Sequence, residues 1–218
     1  MEKQNVDEIL TFLRRSKGLE SAKRYRASLS SKRNTTAEHS WRLGLMALVI
    51  APVCNIKLDM SRTLALALTH DLAEAKTGDI DAYTQIIEGK SLVEKKAVLE
   101  ELAMREMTDG LSFGSNIYNL WREYEDATTL EAKFIQALDS IEGFLHIAED
   151  GVGVYIPKEF HADYANSAVA AFDEAAHHVP ELADFLAAIK EDLKKQFEKI
   201  GVEWVEGVKE TSTAIKED

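Results

Sequence analysis

The chain has 218 residues, 45% hydrophobic and 8% aromatic, and carries 26 Lys and Arg against 38 Asp and Glu for a net charge of -12. That composition supplies a core and excludes a disordered chain, while the acidity argues against a protein built to grip polymeric nucleic acid. A single cysteine, Cys54, excludes an internal disulfide or a cysteine metal cluster; with an acidic N-terminal MEKQNVDEILTFLRR and no apolar run of membrane-spanning length, it predicts a cytoplasmic protein that engages no membrane.

Three prolines and 11 glycines leave long stretches uninterrupted, and the apolar residues recur with helical rather than alternating spacing. The expected fold class is all-α: a single compact helical bundle over residues 4–200, followed by a C-terminal extension over 201–218. In chain order, helices are expected over 4–15, 36–53, 60–75, 91–108, 116–124, 129–149, 158–177 and 181–200. Capping boxes at Thr35-x-x-Glu38, Ser91-x-x-Glu94 and Thr128-x-x-Glu131 mark starts, Asp59 caps helix 60–75, and Gly78 lies just past that helix's end. Helix 91–108 gathers Leu92, Leu99, Leu102 and Ala103 on one side and charge on the other, the pattern of a surface helix packed on the core.

The chemistry concentrates in Glu38-His39 at the start of one helix, His70-Asp71 near the middle of the next, and Asp139 inside helix 129–149. His70 and Asp71 follow Leu64-Ala65-Leu66-Ala67-Leu68, and Asp139 sits among Phe134, Ile135, Leu138, Ile141 and Leu145. A carboxylate in such company is costly unless something compensates its charge. A divalent cation does so, because it favours the ionised carboxylate and takes neutral imidazole as a ligand. Two imidazoles and two carboxylates from His39, His70, Asp71 and Asp139 suit one transition metal, Mn²⁺, Co²⁺, Fe²⁺, Ni²⁺ or Zn²⁺, with Mg²⁺ less comfortable beside imidazole. Glu74, four residues after His70 and three after Asp71, falls beside these ligands by helical geometry. Trp41 reads as core packing and His146 as a core or supporting residue, while His161, His177 and His178 read as surface or packing positions.

The segments AEHSWRLGLMALVI, LALTHDLAEAKTGDI and KFIQALDSIEGFL, with the context EHS…HD-x-x-E-x-x-x-x-D…LD-x-x-E, resemble the HD-domain superfamily of metal-dependent phosphohydrolases. More narrowly they are similar to its bacterial 5'-deoxynucleotidase branch, the YfbR type, over about residues 5–200. The resemblance implies that His39, His70, Asp71 and Asp139 are the metal ligands, and that Glu74 and Asp79 are the acidic pair around an attacking water. It also implies that Arg24 and Tyr25, 15 residues before His39, hold phosphate and sugar; the family pattern there is Arg-Trp, so Tyr25 marks a departure that bears on sugar preference. Arg33 or Lys76 would assist with the phosphate charge. No histidine lies between His70 and His146, in contrast to dinuclear relatives, so a single catalytic metal is expected.

The resulting expectation is an enzyme, a metal-dependent phosphoric monoester hydrolase releasing phosphate from (deoxy)nucleoside 5'-monophosphates and assembling as a homodimer. The alternatives are an HD-type phosphodiesterase, a guanosine-tetraphosphate-type pyrophosphohydrolase, or a non-catalytic metal-stabilised dimerisation protein. Residues 14–42 hold nine Lys and Arg against Glu20 and Glu38, a local +7 that leaves -19 on the rest. That basic stretch leads into His39 and suits a small dianion, so the partner expected is a mononucleotide rather than a polymer.

Overall fold

Side-chain caps mark the starts of three of the described helices. The computed structural model describes residues 2–24, 34–80, 90–151, 161–201 and 204. In order it forms α1 (Lys3–Ser16), a 3-10 turn (Lys17–Glu20), α2 (Thr36–Val53), α3 (Met60–Thr69), α4 (Glu74–Thr77), α5 (Lys90–Thr108), α6 (Gly114–Glu125), α7 (Leu130–Asp150), α8 (His161–His178), a second 3-10 turn (Pro180–Leu182) and α9 (Ala183–Lys199). Among the described residues no strand forms, and Lys23 and Thr35 make an isolated antiparallel bridge. No described helix is long and apolar enough to cross a membrane.

The Thr35 box forms as expected: its hydroxyl accepts from the Glu38 N–H at 3.2 Å, and Glu38 Oε2 accepts from the Thr35 N–H at 2.6 Å. Asp59 caps α3 by accepting from the Arg62 N–H at 3.1 Å. The other two boxes differ from expectation. Helix α7 starts one residue later, on Thr129, whose hydroxyl accepts from the Ala132 N–H; the left-handed turn at Ala127 (φ 47°) sets that register, and Glu131 instead takes the Asp59 N–H. Helix α5 is already running at Lys90, so Ser91 lies inside it.

The helix expected over 60–75 is interrupted, and His70 and Asp71 stand at its C-terminal end rather than its middle. The His70 Nδ1–H donates to the Ala67 carbonyl at 3.0 Å, the oxygen that the Asp71 N–H would use if the helix continued. The chain then tightens through bonds from Leu72 to Thr69 and from Glu74 to Asp71 before α4 forms. Gly78, in the left-handed region at φ 71°, closes α4.

Two apolar clusters result. The larger wraps α7: Phe134, Ile135, Leu138 and Ile141 pack with Leu43 and Ala47 of α2, Leu66 of α3, Phe172 of α8 and Leu193 and Phe197 of α9. Trp204, within the stretch read as an extension, is buried against Phe197. The smaller joins Leu72 and Ala73 to Ala103, Met104 and Met107 of α5 and Trp121 of α6. On α5 the buried side is therefore Glu100, Ala103, Met104 and Met107, whereas Leu99 and Leu102 are exposed, contrary to the expected stripe, because α4 and α6 lie on that other face. Trp41 is also 64% exposed rather than packed in the core, since α2 turns Leu43 and Ala47 inward.

The first 3-10 turn packs on α4 with no room to spare. A Cβ added at Gly18 would lie 2.1 Å from the Ala75 carbonyl oxygen, backbone that cannot yield as a side chain would. Gly18→Ala is expected to destabilise the fold by about 1–3 kcal/mol in urea unfolding.

Candidate metal centre

His39 is the fourth residue of α2 and is fully buried; His70 ends α3 and is 2% exposed. Their Nε2 atoms face each other at 3.3 Å. Asp71 Oδ2 lies 3.1 Å from His70 Nε2 and 3.8 Å from His39 Nε2, and Asp139 Oδ1, from α7, lies 2.9 Å from His39 Nε2. The side chains of Asp71 and Asp139 are 22% and 29% exposed while both imidazoles are enclosed, so the cluster opens to solvent on its carboxylate side. The ligand atoms of His39, His70 and Asp71 lie within 4.8 Å of one another.

The remaining ring nitrogens fix which atoms face inward. His70 Nδ1 is committed to the Ala67 carbonyl, and His39 Nδ1 lies 2.5 Å from Glu142 Oε2. With both Nδ1 atoms occupied outward, two Nε2 lone pairs and two carboxylate oxygens converge, which is the donor set a divalent transition metal requires. Electrostatics say the same. Burial works to lower the His70 pKa, but the charges of Asp71 and Asp139 outweigh it and push it up to about 9. Burial also works to raise Asp71, yet the His70 charge and hydrogen bond hold its carboxyl down at about 2. Burial opposes ionisation of Asp139 too, and the hydrogen bond and charge of His39 bring it well below the ordinary carboxylate range. Protons are standing where a cation fits.

Glu74, the first residue of α4, is 3% exposed and accepts the Thr36 hydroxyl at Oε2, 2.7 Å away. Burial, then the charges of Asp71 and Asp79, push its pKa up to about 9, which places Asp71, Glu74 and Asp79 in one electrostatic neighbourhood. Arg24 reaches the same cluster through the pairing around Lys23 and Thr35: its N–H bonds the Asn34 carbonyl and the Thr36 N–H bonds that of Ala22, each at 3.0 Å. The Arg24 guanidinium, 13% exposed, donates to Glu142 Oε2 at 2.9 Å. Lys76 does not join the cluster; it stands two residues, about 200°, around α4 from Glu74 and pairs with Glu106 on the outer side of α5. Tyr25 and Arg33 lie outside the described residues.

Two participants were not singled out from the sequence. Glu142, entirely buried, fixes both His39 and Arg24; its signal was a carboxylate one turn after Asp139 in the same apolar helix. Tyr124 donates its hydroxyl to Asp139 Oδ2 at 2.9 Å and lays its ring 5.0 Å from that of His70. A cleft of about 230 Å³ opens beside Tyr124 and Asp139, lined also by Lys133, Gln136, Ser140 and His178 among others. Glu142→Gln keeps the shape but weakens the hold on His39, and is expected to lower metal affinity about 10- to 100-fold by calorimetric titration.

Residues 17–183 match the HD domain family. The chain is 32% identical to 5'-deoxynucleotidase HDDC2 of Xenopus laevis over 161 residues, covering 74% of each. It is 36% identical to the human 5'-deoxynucleotidase HDDC2 over 117 residues, covering 53% of each. The likeness is therefore not confined to the bacterial branch. Among solved structures, a predicted metal-dependent phosphohydrolase of Magnetospirillum magnetotacticum MS-1 superposes with a TM-score of 0.67 at 21% identity, covering 89% of this chain and 97% of that one. A Pyrococcus horikoshii OT3 protein superposes with a TM-score of 0.63 at 22% identity, covering 86% and 99%. The matched span contains every residue of the histidine and carboxylate cluster, and the chain belongs to the HD domain family.

Proposed function

We propose that this protein is a metal-dependent phosphomonoesterase that releases inorganic phosphate from (deoxy)nucleoside 5'-monophosphates. The observation that carries the reading is the convergence of His39, His70, Asp71 and Asp139 next to a buried Glu74 of high proton affinity. The relatives named 5'-deoxynucleotidase support the substrate class.

His39, His70, Asp71 and Asp139 would hold one divalent cation, of the Mn²⁺, Co²⁺, Fe²⁺, Ni²⁺ or Zn²⁺ group, which when bound acidifies water and polarises a phosphoryl oxygen. Glu74 is the base: a bound cation would offset the charge of Asp71 that helps keep a proton on it, and with Thr36 on Oε2 the proton of the attacking water would go to Oε1. Asp79 raises the proton affinity of Glu74 and helps orient that water. Arg24, steadied by Glu142, would present its guanidinium to the phosphate, and Tyr25, its neighbour in the sequence, is the residue proposed for the sugar. The leaving nucleoside oxygen would take up the proton that Glu74 received from water, and the products are a nucleoside and phosphate.

The protein works as a homodimer in the cytoplasm. A stripe of exposed apolar residues along α2 (Trp41, Leu45, Leu48, Val49 and Val53) with Leu68 of α3 supports the dimer, and a lone cysteine that needs no oxidising compartment supports the location. Light scattering at micromolar concentration showing a monomer removes the dimer.

The deciding experiment strips metal from the protein, restores Mn²⁺, Co²⁺, Fe²⁺, Ni²⁺, Zn²⁺ or Mg²⁺ singly, and measures phosphate release from ribo- and deoxyribonucleoside 5'- and 3'-monophosphates. Release from 5'-monophosphates with a transition metal is expected. No release from any nucleotide with any metal ends the reading, and equal turnover of AMP and dAMP ends strict selectivity for deoxyribose.

A further inference from the structure

Helix α5 contributes a charged group that faces inward. Lysine side chains ordinarily carry the ammonium out to water, but that of Lys96 is only 24% exposed. Its Nζ lies 3.5 Å from Glu100 Oε1, one turn along the helix, and Glu100 is itself 9% exposed. The partners Lys96 senses are those of the candidate centre. Burial works against its charge, but Glu100, then Glu74, Asp71 and Asp79, together raise its pKa. In return Lys96 favours ionisation of Glu74, Glu100 and Glu125.

A phosphate dianion approaching this centre meets the carboxylates of Asp71, Glu74 and Asp79. A dication held by two aspartates has its charge offset by them, Arg24 is partly neutralised by Glu142, and Lys76 is paired with Glu106. Helix α5, which carries Lys96, packs directly on α4, which begins with Glu74, so the half-buried Lys96 supplies positive charge to the side of the site formed by these two helices. Resting on the phosphomonoesterase reading above, we propose that Lys96 is a substrate-binding residue whose ammonium receives a phosphoryl oxygen of the nucleotide, with Glu100 positioning it.

The test uses full-length protein loaded with Mn²⁺ and inorganic phosphate as the probe, read by broadening of the phosphate ³¹P signal, with Lys96→Met and Lys96→Arg as variants. Lys96→Met is expected to weaken phosphate binding about 10- to 100-fold, the range for one charge-assisted contact, while Lys96→Arg recovers most of it. Mn²⁺ affinity, by calorimetric titration, is expected to stay the same or rise, because a neighbouring positive charge has been removed. In turnover, Lys96→Met should raise the phosphate inhibition constant and the nucleotide KM by similar factors. If the parent turns over no nucleotide but binds phosphate in a Lys96-dependent way, the inference stands and the catalytic reading falls. Phosphate affinity within about twofold of the parent in Lys96→Met overturns the inference, as does a parent that binds no phosphate. A Lys96→Met protein that does not fold leaves Lys96→Gln for the same measurement, with the same two outcomes.

Discussion

Asp139→Ala is expected to abolish the rise in melting temperature that metal gives the parent protein. Asp139 Oδ1 stands 2.9 Å from His39 Nε2, and its other oxygen is held by Tyr124, so truncation removes a proposed ligand and strands its supports. Residues that only support a ligand typically cost 10–100-fold in metal affinity when changed, and loss of the ligand itself should exceed about 100-fold. At a metal concentration of about 100 times the parent's Kd, binding adds about 2.7 kcal/mol to the parent, and that increment should vanish in the variant. The parent's metal affinity should also climb between pH 6 and pH 8, because the cation competes with the proton on His70, whose pKa is about 9. Calorimetric titration at the two pH values and thermal melts with and without metal measure both effects. A variant that keeps the parent's metal-dependent shift removes Asp139 from the centre.

Glu74→Gln should separate binding from turnover. The amide cannot accept the proton of water, so kcat is expected to fall about 10²- to 10⁴-fold, with metal affinity within a few-fold of the parent. The metal-free protein carries a second signature. The folded-state pKa of Glu74 is raised from 4.5 to about 9, so between these values the folded chain keeps a proton that the unfolded chain has released. Stability contributed in this way falls as pH rises through the window, with a slope of up to about 1.4 kcal/mol per pH unit. His70 acts in the same sense over a narrower range: its raised pKa adds stability fully present below 6.5 and lost as pH passes about 9. Urea unfolding of metal-free parent should therefore show declining stability from pH 5 to pH 9, and Glu74→Gln should flatten the portion below pH 6.5. An unchanged profile together with full turnover excludes Glu74 as the base.

The fold and the cluster of histidines and carboxylates were legible for the same reason: both depend on residues that contradict their surroundings. Asp139 in an apolar helix and His70-Asp71 after five alternating Leu and Ala residues advertise a compensating partner from the sequence alone. The box at Thr35, with both side-chain bonds present, placed α2 to the residue. What the sequence hid were interactions between distant segments. Lys96 drew no notice in the sequence whereas Lys76 did; their fates are decided by α4 packing on α5, with Lys76 paired to exposed Glu106 and Lys96 half-buried beside Glu100. The break after Thr69 was hidden because it depends on a side chain, His70, taking a backbone oxygen from its own helix. The shift of the α7 cap from Thr128 to Thr129 hangs on one left-handed alanine, which propensity alone does not foresee.

The seam between the two apolar clusters has a mechanical consequence. His39 and Asp139 come from helices of the larger cluster, while His70 and Asp71 end a helix of that cluster and run directly into Leu72 and Ala73 of the smaller one. An ion held there resists separation of the two clusters, because opening either one takes at least one donor away. A bound ion is therefore expected to make unfolding more cooperative: α5 and α6 should lose the option of opening ahead of α7, and their backbone amides should exchange with solvent on the same timescale as the deepest amides of the bundle.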